Sequence, residues 1–442
     1  MNRTYFGTDG VRGPYGGPVI NERFAAQLGK AAGQWSGGHG LALIGRDPRS
    51  SGASLAAAVA AGMQAAGLTV RDLGMVPTPA VAQAALAQGA LGVVITASHN
   101  PATDNGIKFF TSAGIKLSDE DEAAIEALLD REAETIAPVA VPPAAGNAVA
   151  DYIASAVKLL PVGALDGWKL VLDTANGATC FTSAGVLGAL GATILPIGDR
   201  PEGGNINAGV GSEHPEQLAA RVKAEGARLG IAHDGDGDRC ILCDEEGDVI
   251  DGDEVLGLLG LHALRQKRLA ADTLVVTVQS NLGVDTVIEQ AGGFVVRTPV
   301  GDRHVAARMR ELGAELGGES SGHIICSDVA TTGDGLIAAL RVIEIMLETG
   351  EPLSLLRRPV KLFPQRSTSL RVGVRVPLEA CVTLQAAIAA VEADFGREGR
   401  VLIRYSGTEA KLRLLVEGPE DDRVAEAMAR LERAARADLE VI

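Results

Sequence analysis

Three short runs bring chemistry-bearing side chains to the ends of apolar segments. Thr96-Ala97-Ser98-His99-Asn100-Pro101 follows Leu91-Gly92-Val93-Val94-Ile95, and Asp234-Gly235-Asp236-Gly237-Asp238-Arg239 follows Leu229-Gly230-Ile231-Ala232. Glu319-Ser320-Ser321-Gly322-His323 follows an equivalent segment. A buried strand that ends in a polar loop is where open α/β sheets keep their ligands. Asp234, Asp236 and Asp238 alternate with glycine, so an extended loop turns all three carboxylates to one side. Their mutual repulsion, about 1 to 4 kcal/mol per pair between water-like and surface dielectrics, is usually relieved by a bound cation. Hard oxygen donors favour Mg²⁺ or Mn²⁺. A hydroxyl beside such a cation, here Ser98, is suited to carrying a phosphoryl group.

Other readings of these residues fit less well. The three aspartates occupy the first three ligand positions of an EF-hand loop and Glu245 the twelfth, but Arg239 stands where that loop needs glycine and the flanks read as strands. Ser98 lacks the G-x-S-x-G setting of a hydrolase nucleophile, although His99 adjoins it. Glu319, Ser321 and His323 combine an acceptor, a hydroxyl and an imidazole, a set apt for sugar hydroxyls, and the same residues would also make a capped helix start. Further on, Arg404-Tyr405-Ser406-Gly407-Thr408, with Arg413 beyond, offers guanidinium and hydroxyl groups for a dianion. An exposed β-turn between two strands would look alike.

The elements that must position these loops recur. Strands at Leu41–Ile44, Leu170–Leu172 and Leu274–Val278 each lead into a helix, a second strand after Ala66-Gly67, Leu190-Gly191 or Ala291-Gly292, another helix, and a third strand announced by Gly89-Ala90, Gly226-Ala227 or Gly313-Ala314. The spacing from loop to motif differs between copies, which excludes a solenoid. Three related mixed α/β domains with mainly parallel sheets are expected, covering residues 1–150, 151–250 and 251–364. A smaller C-terminal α+β domain over 365–442 follows, with a strand at Ser367–Val376, a helix at Leu378–Phe395, two strands around Arg404–Thr408 and a charged helix from Glu420. The acidic faces near Glu120–Glu134 and Glu420–Arg436 read as solvated surface.

A chain of 442 residues with 46% hydrophobic content supports several cores. Its net charge of −16 argues against nucleic acid or an anionic membrane as main partner. Cys180, Cys240, Cys243, Cys326 and Cys381 have no framework spacing, and the C-x-x-C at Cys240-Cys243 sits in a strand-like run, weak evidence for zinc. The opening Asn2-Arg3-Thr4 lacks the apolar core of a signal peptide, and the Ala-rich stretch from Ala53 to Ala66 is too short and too weakly apolar for a membrane span. A cytoplasmic setting is expected.

Together the motifs resemble the α-D-phosphohexomutases along essentially the whole chain, and within them the glucosamine-directed branch. The resemblance rests on Thr96–Pro101 with Asn105-Gly106-Ile107-Lys108, on Asp234–Arg239, on Gly318–His323 and on Arg404–Glu409. The opening Tyr5-Phe6-Gly7-Thr8-Asp9-Gly10-Val11-Arg12-Gly13 looks like that branch. It implies a four-domain, heart-shaped enzyme in which Ser98 is a phosphoserine and Mg²⁺ is held by that phosphate with Asp234, Asp236 and Asp238. Arg12, His99, Lys108 and Arg239 would surround the transferred group, Lys108 giving acid/base help. Thr298, Gly301, Asp302, Glu319, Ser321 and His323 would bind the sugar. Arg404, Ser406, Gly407, Thr408 and Arg413 would grip the far phosphate.

The implied reaction interconverts glucosamine 6-phosphate and glucosamine 1-phosphate, feeding UDP-N-acetylglucosamine and cell-wall synthesis. Glucosamine 1,6-bisphosphate or glucose 1,6-bisphosphate would be the activator, the partner would be a small sugar phosphate, and a homodimer is allowed. Ala410 stands where the family usually has proline, Val210-Gly211-Ser212-Glu213 is not the commonest form of its loop, and Asp302 replaces a histidine frequent in mannose- and glucose-directed relatives. A phosphomannomutase or phosphoglucomutase of the same architecture and a non-catalytic sugar-phosphate binder are the rival readings.

Overall fold

A computed structural model describes residues 4–130, 136–137, 139–144, 146–406 and 410–442. The chain forms two compact units, Met1–Gln279 with Ala291–Pro359 and Ser280–Gln290 with Val360–Ile442.

The first unit contains three sheets of related order. In the first, Leu41–Arg46 lies between the parallel strands Thr69–Met75 and Leu91–Ile95, and Asp104–Phe110 and Val11–Pro14 add antiparallel strands beyond Leu91–Ile95. In the second, Lys169–Asp173 takes the central place between Thr193–Ile197 and Leu229–His233, and Cys240–Cys243 and Val249–Ile250 return antiparallel. In the third, Thr273–Thr277 stands between Phe294–Thr298 and Leu316–Gly318, with Ile324–Cys326 antiparallel beside the latter. The parallel core follows from β-rich runs with little alternation: Leu91–Ile95, Leu229–His233 and Thr273–Thr277 are buried on both faces, while the outer strands Thr69–Met75, Thr193–Ile197 and Phe294–Thr298 are partly exposed. The antiparallel return after each chemical motif is a feature the apolar pattern does not announce. Each motif therefore occupies a turn between the last parallel strand and its antiparallel neighbour, which pins the loop at both ends.

The second unit carries a wholly antiparallel sheet in the order Gln365–Arg371, Lys411–Glu417, Arg400–Tyr405, packed on helices Val382–Phe395 and Asp421–Asp438. Here the strand expected to reach Val376 stops at Arg371, and the helix expected from Leu378 begins at Val382 after a single 3₁₀ turn. Pro377 precedes the 3₁₀ turn and keeps the helix from starting earlier, while the strand has already ended six residues before it. The acidic faces are not simply solvated. Glu122 is buried and accepts from Arg303 Nη1 at 2.5 Å, and Glu126 accepts the backbone N–H groups of Tyr5 and Phe6 at 2.6 and 2.8 Å. The helix Asp421–Asp438 buries Val424, Met428, Leu431 and Ala435 along one stripe. No described helix is long and apolar enough to cross a membrane.

Candidate active site

The strand Leu91–Ile95 is buried throughout and delivers Ser98, itself only 1% exposed, in a left-handed backbone conformation at φ +54°. A non-glycine residue there costs of order 1 to 3 kcal/mol unless its surroundings hold it. They do. The Ser98 N–H donates to Thr96 Oγ1 at 2.9 Å, and that hydroxyl donates to Asp47 Oδ2 at 2.6 Å. The Ser98 hydroxyl is thereby aimed at Asp234, donating to Oδ2 at 2.5 Å, with His99 Nδ1 3.4 Å from Ser98 Oγ.

Asp234, Asp236 and Asp238 are all buried, and a carboxylate oxygen from each lies within 4.8 Å of those of the other two. Asp234 Oδ1 accepts the Arg239 N–H at 3.2 Å, and Asp236 Oδ2 accepts Thr78 Oγ1 at 2.6 Å and Lys108 Nζ at 2.8 Å. Oδ1 of Asp236 and Oδ1 of Asp238 are buried without any hydrogen-bond partner. Burial, reinforced by Asp236 and Asp238, pushes the Asp234 carboxyl well above the ordinary range. Orphaned oxygens, convergence and mutual repulsion fit a divalent cation of the Mg²⁺ kind, which prefers carboxylate oxygen and retains open positions for phosphate.

Cations surround the trio. Lys108 comes from Asp104–Phe110, opposite Val94 of the serine strand, and Arg12 stands opposite Gly106 in the next pairing. A Cβ on Gly106 would lie 2.9 Å from Arg12 Cγ and 2.8 Å from the Val11 carbonyl oxygen, so glycine permits this close three-strand approach. Lys108 Nζ lies 2.7 Å from Asp9, 2.8 Å from Asp236 and 3.5 Å from Asp238. Burial alone would lower its pKa, but Asp236, Asp9 and Asp238 outweigh burial and hold it above the lysine range. His99 goes the other way: burial, then Arg239 and Arg12, press its pKa down to about 4, so its ring is neutral near pH 7. Arg12 pairs with Asp9, and Arg239 Nη1 reaches Glu213 at 3.5 Å.

These pairs continue into a closed ring of alternating charge. From Lys108 it passes to Asp9, to Lys116 at 2.8 Å, to Asp302, to His323 Nε2 at 3.1 Å, and from His323 Nδ1 to Asp238 at 3.6 Å, which meets Lys108 again. The Asp302–His323 approach is an ion pair by distance without hydrogen-bond geometry, since Nε2 has no hydrogen-bond partner. Burial opposes charge on His323, yet Asp302 and Asp238 raise its pKa to about 10.

Of the expected sugar-loop residues, Glu319 Oε1 accepts the Gly301 N–H at 3.0 Å, joining the two loops. Thr298 Oγ1 donates to the Pro299 carbonyl at 3.0 Å, and the buried Ser321 Oγ has no partner. Asp302 faces Lys116 and His323. Neither Lys116 nor Asp9 stood out as a functional candidate in the sequence, because nothing local distinguishes a lysine or aspartate destined for burial. The signal available was only the charge itself within the apolar-flanked runs Gly7–Gly13 and Gly114–Leu117.

In the second unit, Arg404 and Arg413 are directly opposite across the antiparallel pair Arg400–Tyr405 and Lys411–Glu417. Like charges in that position repel. Partial burial and then Arg413 lower the Arg404 pKa, and Arg404 Nη2 is buried without a partner. Ser406 is buried and its carbonyl accepts Arg375 Nη2 at 2.8 Å. Gly407 and Thr408 lie outside the described residues.

Four family models cover the chain: phosphoglucomutase/phosphomannomutase alpha/beta/alpha domain I over residues 3–136, domain II over 150–247, domain III over 251–363, and the C-terminal domain over 371–434. The chain belongs to the phosphoglucomutase/phosphomannomutase family. It is 44% identical over 445 residues to the phosphoglucosamine mutase of Thioalkalivibrio sulfidiphilus, covering 99% of this chain and 98% of that one. It is 41% identical over 452 residues to that of Lactococcus lactis subsp. lactis, covering 99% of each. Among solved structures, a phosphoglucomutase/phosphomannomutase family protein from Burkholderia thailandensis superposes with a TM-score of 0.81 at 26% identity, covering 98% of both chains. The Aspergillus fumigatus N-acetylphosphoglucosamine mutase in complex with GlcNAc-6P and magnesium shares the fold, with a TM-score of 0.62 at 17% identity over 89% of this chain and 82% of that one.

Proposed function

We propose that this chain is a mutase interconverting glucosamine 6-phosphate and glucosamine 1-phosphate, with Ser98 carrying the phosphoryl group between the two halves of the reaction. One observation supports this above the rest: a nearly inaccessible serine, in a backbone conformation serine rarely adopts, hydrogen-bonds at 2.5 Å to the first of three converging carboxylates. Relatives at 41 to 44% identity, all named for glucosamine phosphate, support the choice of sugar.

In the forward direction O1 of glucosamine 6-phosphate attacks the phosphorus on Ser98. The bond from phosphorus to Oγ breaks, Oγ takes up a proton, and O1 loses its own. The resulting 1,6-bisphosphate turns, Oγ attacks the 6-phosphorus, and O6 leaves with a proton, so Ser98 ends phosphorylated and glucosamine 1-phosphate departs. Asp234, Asp236 and Asp238 would hold Mg²⁺, which neutralises charge on the transferred phosphoryl oxygens when bound. Arg12, Arg239 and Lys108 add fixed positive charge, and Lys108, held as an ammonium by Asp9, Asp236 and Asp238, is the residue suited to acid/base help. His99, neutral and 3.4 Å from Oγ, has a ring nitrogen able to accept one. Glu319 and the unpartnered Ser321 hydroxyl suit sugar hydroxyls, and the Arg404–Arg413 pair suits the phosphate that is not being transferred. Glucosamine or glucose 1,6-bisphosphate would recharge a dephosphorylated Ser98. The five free thiols suit a reducing cytoplasm.

The test compares turnover of the 6-phosphates of glucosamine, glucose and mannose after charging with glucose 1,6-bisphosphate. Preference for glucosamine 6-phosphate is expected. Preference for a neutral hexose phosphate would overturn the sugar assignment, and binding without isomerisation would overturn the mutase.

A further inference from the structure

Arg49 is wholly buried three residues past the end of Leu41–Arg46, beside the loop that holds Ser98. An arginine next to a phosphate-carrying serine invites the role of phosphate ligand, but its donors are already spent. Nε donates to Asp47 Oδ2 at 2.9 Å, Nη1 to the carbonyls of Pro101 and of Asp104, the latter at 2.9 Å, and Nη2 to the carbonyls of Ser98 and Asn100 at 3.0 and 2.8 Å. A guanidinium has five N–H groups, and five acceptors take them. Its charge is balanced by Asp47, whose other link runs through Thr96 to the Ser98 N–H.

From the second domain, Asn207 Nδ2 donates to the same two carbonyls, Ser98 at 2.8 Å and Asn100 at 3.0 Å. The metal-loop backbone closes the same spot, since a Cβ on Gly235 would lie 2.6 Å from the Ser98 carbonyl oxygen and 3.0 Å from Asn207 Nδ2.

Resting on the reading of Ser98 as phosphoryl carrier, we infer that Arg49 and Asn207 are positioning residues that clamp the Ser98 and Asn100 carbonyls from two domains and thereby hold the hydroxyl in register with the carboxylates. A single oxygen that must serve first as leaving group and then as nucleophile has to return to one place after each half-reaction. A clamp on the carbonyl side leaves the hydroxyl side free for chemistry. Neither residue touches the reacting atoms.

Asn207 itself has φ +58°, so Asn207→Gly removes the amide while keeping a backbone that glycine adopts freely. Arg49→Lys keeps the charge beside Asp47 but cannot span four carbonyls. Measured on the full chain, Asn207→Gly should lower kcat about tenfold and Arg49→Lys about a hundredfold, with KM for glucosamine 6-phosphate within about twofold of wild type, as expected when geometry rather than binding is lost. The rate at which Ser98 gains one phosphoryl group, about 80 Da by intact mass, from glucose 1,6-bisphosphate should fall in parallel, while the urea midpoint of Asn207→Gly stays at the wild-type value. Should Arg49→Lys fail to fold, Asn207→Gly alone decides. Wild-type kcat and phosphorylation rate in folded Asn207→Gly, or a loss carried by KM, would overturn the clamp. Ser98→Ala assayed alongside separates the two ideas: if it stays active, the carrier reading has failed; if it is dead while Asn207→Gly is normal, only the clamp has failed.

Discussion

The serine loop of the first unit and the arginine hairpin of the second are built on opposite principles. Around Ser98 nearly every polar group already has a partner: the carbonyl is clamped, the N–H capped by Thr96, the hydroxyl held by Asp234, and Lys108 held among three carboxylates. At the hairpin two arginines stand opposite each other across the strand pair, and Arg404 Nη2 is buried without a hydrogen-bond partner among the described residues. The first region is organised in advance, as chemistry requires. The second leaves a buried guanidinium nitrogen without a partner, which is the feature the proposed anion grip rests on. In the first, the Oδ1 atoms of Asp236 and Asp238 remain open, at the spot where a cation fits.

Mutations should separate the two regions. Ser98→Ala should cut mutase turnover by at least about a thousandfold with the urea midpoint unchanged, since the side chain lost is small and its role lies in group transfer. Near-normal turnover would remove the basis for the comparison. Asp236→Asn should lower activity about a hundredfold and shift the magnesium titration to higher concentration, because it removes one anionic ligand and the charge that pairs with Lys108. An unchanged titration would mean the trio is not the metal site.

Arg413→Gln should do the reverse of what a preorganised site does. Binding of the sugar phosphate, read as KM, should weaken about tenfold while thermal stability holds or rises slightly, because a repulsive pair is relieved. A stability loss with KM intact would show the hairpin to be structural.

Acid offers a subtler separation. All seven histidines lie in the first unit. His233, buried between Ser183 and the Arg239 carbonyl, is held neutral by burial at a pKa of about 4. Its unfolded counterpart titrates near about 6.5, so between pH 6.5 and 4 the unfolded chain binds the extra proton and the first unit loses up to about 3 kcal/mol. Asp334 opposes this, since burial raises its pKa to about 6 and the folded state then holds the extra proton as pH falls. The clean measurement is therefore the urea midpoint of wild type against His233→Asn at pH 7 and pH 5. Wild type should lose more stability than the variant on acidification, and equal losses would remove His233 from the account.

Much of this was legible beforehand in specific residues. The three parallel cores showed in runs such as Leu91–Ile95, where a strand buried on both faces leaves no alternation to misread. Ser98 and the aspartate–glycine alternation showed because reactive groups cluster at strand ends. Boundaries near Arg371 and Val382 were blurred, since Pro377 marks an interruption without saying how far its effect reaches. Arg49, Asn207, Asp9 and Lys116 were silent for another reason: each is a common polar residue whose decisive partners, the Ser98 and Asn100 carbonyls for Arg49 and Asn207 and the Asp9–Lys116–Asp302 links of the charge ring, lie from about fifty to nearly two hundred positions away.

By itself the sequence determined which groups could react, because residue type, charge and a period of two or 3.6 are local properties of the chain. Which of those groups are already consumed was decided only by the tertiary structure. Burial and long-range pairing turned Arg49 from an available cation into a clamp, tied Asp302 to Lys116, and left two carboxylate oxygens open where a cation fits. Whether a buried charge is spent or available depends on what stands within about 3 to 4 Å of it, and that distance exists only once the chain has folded.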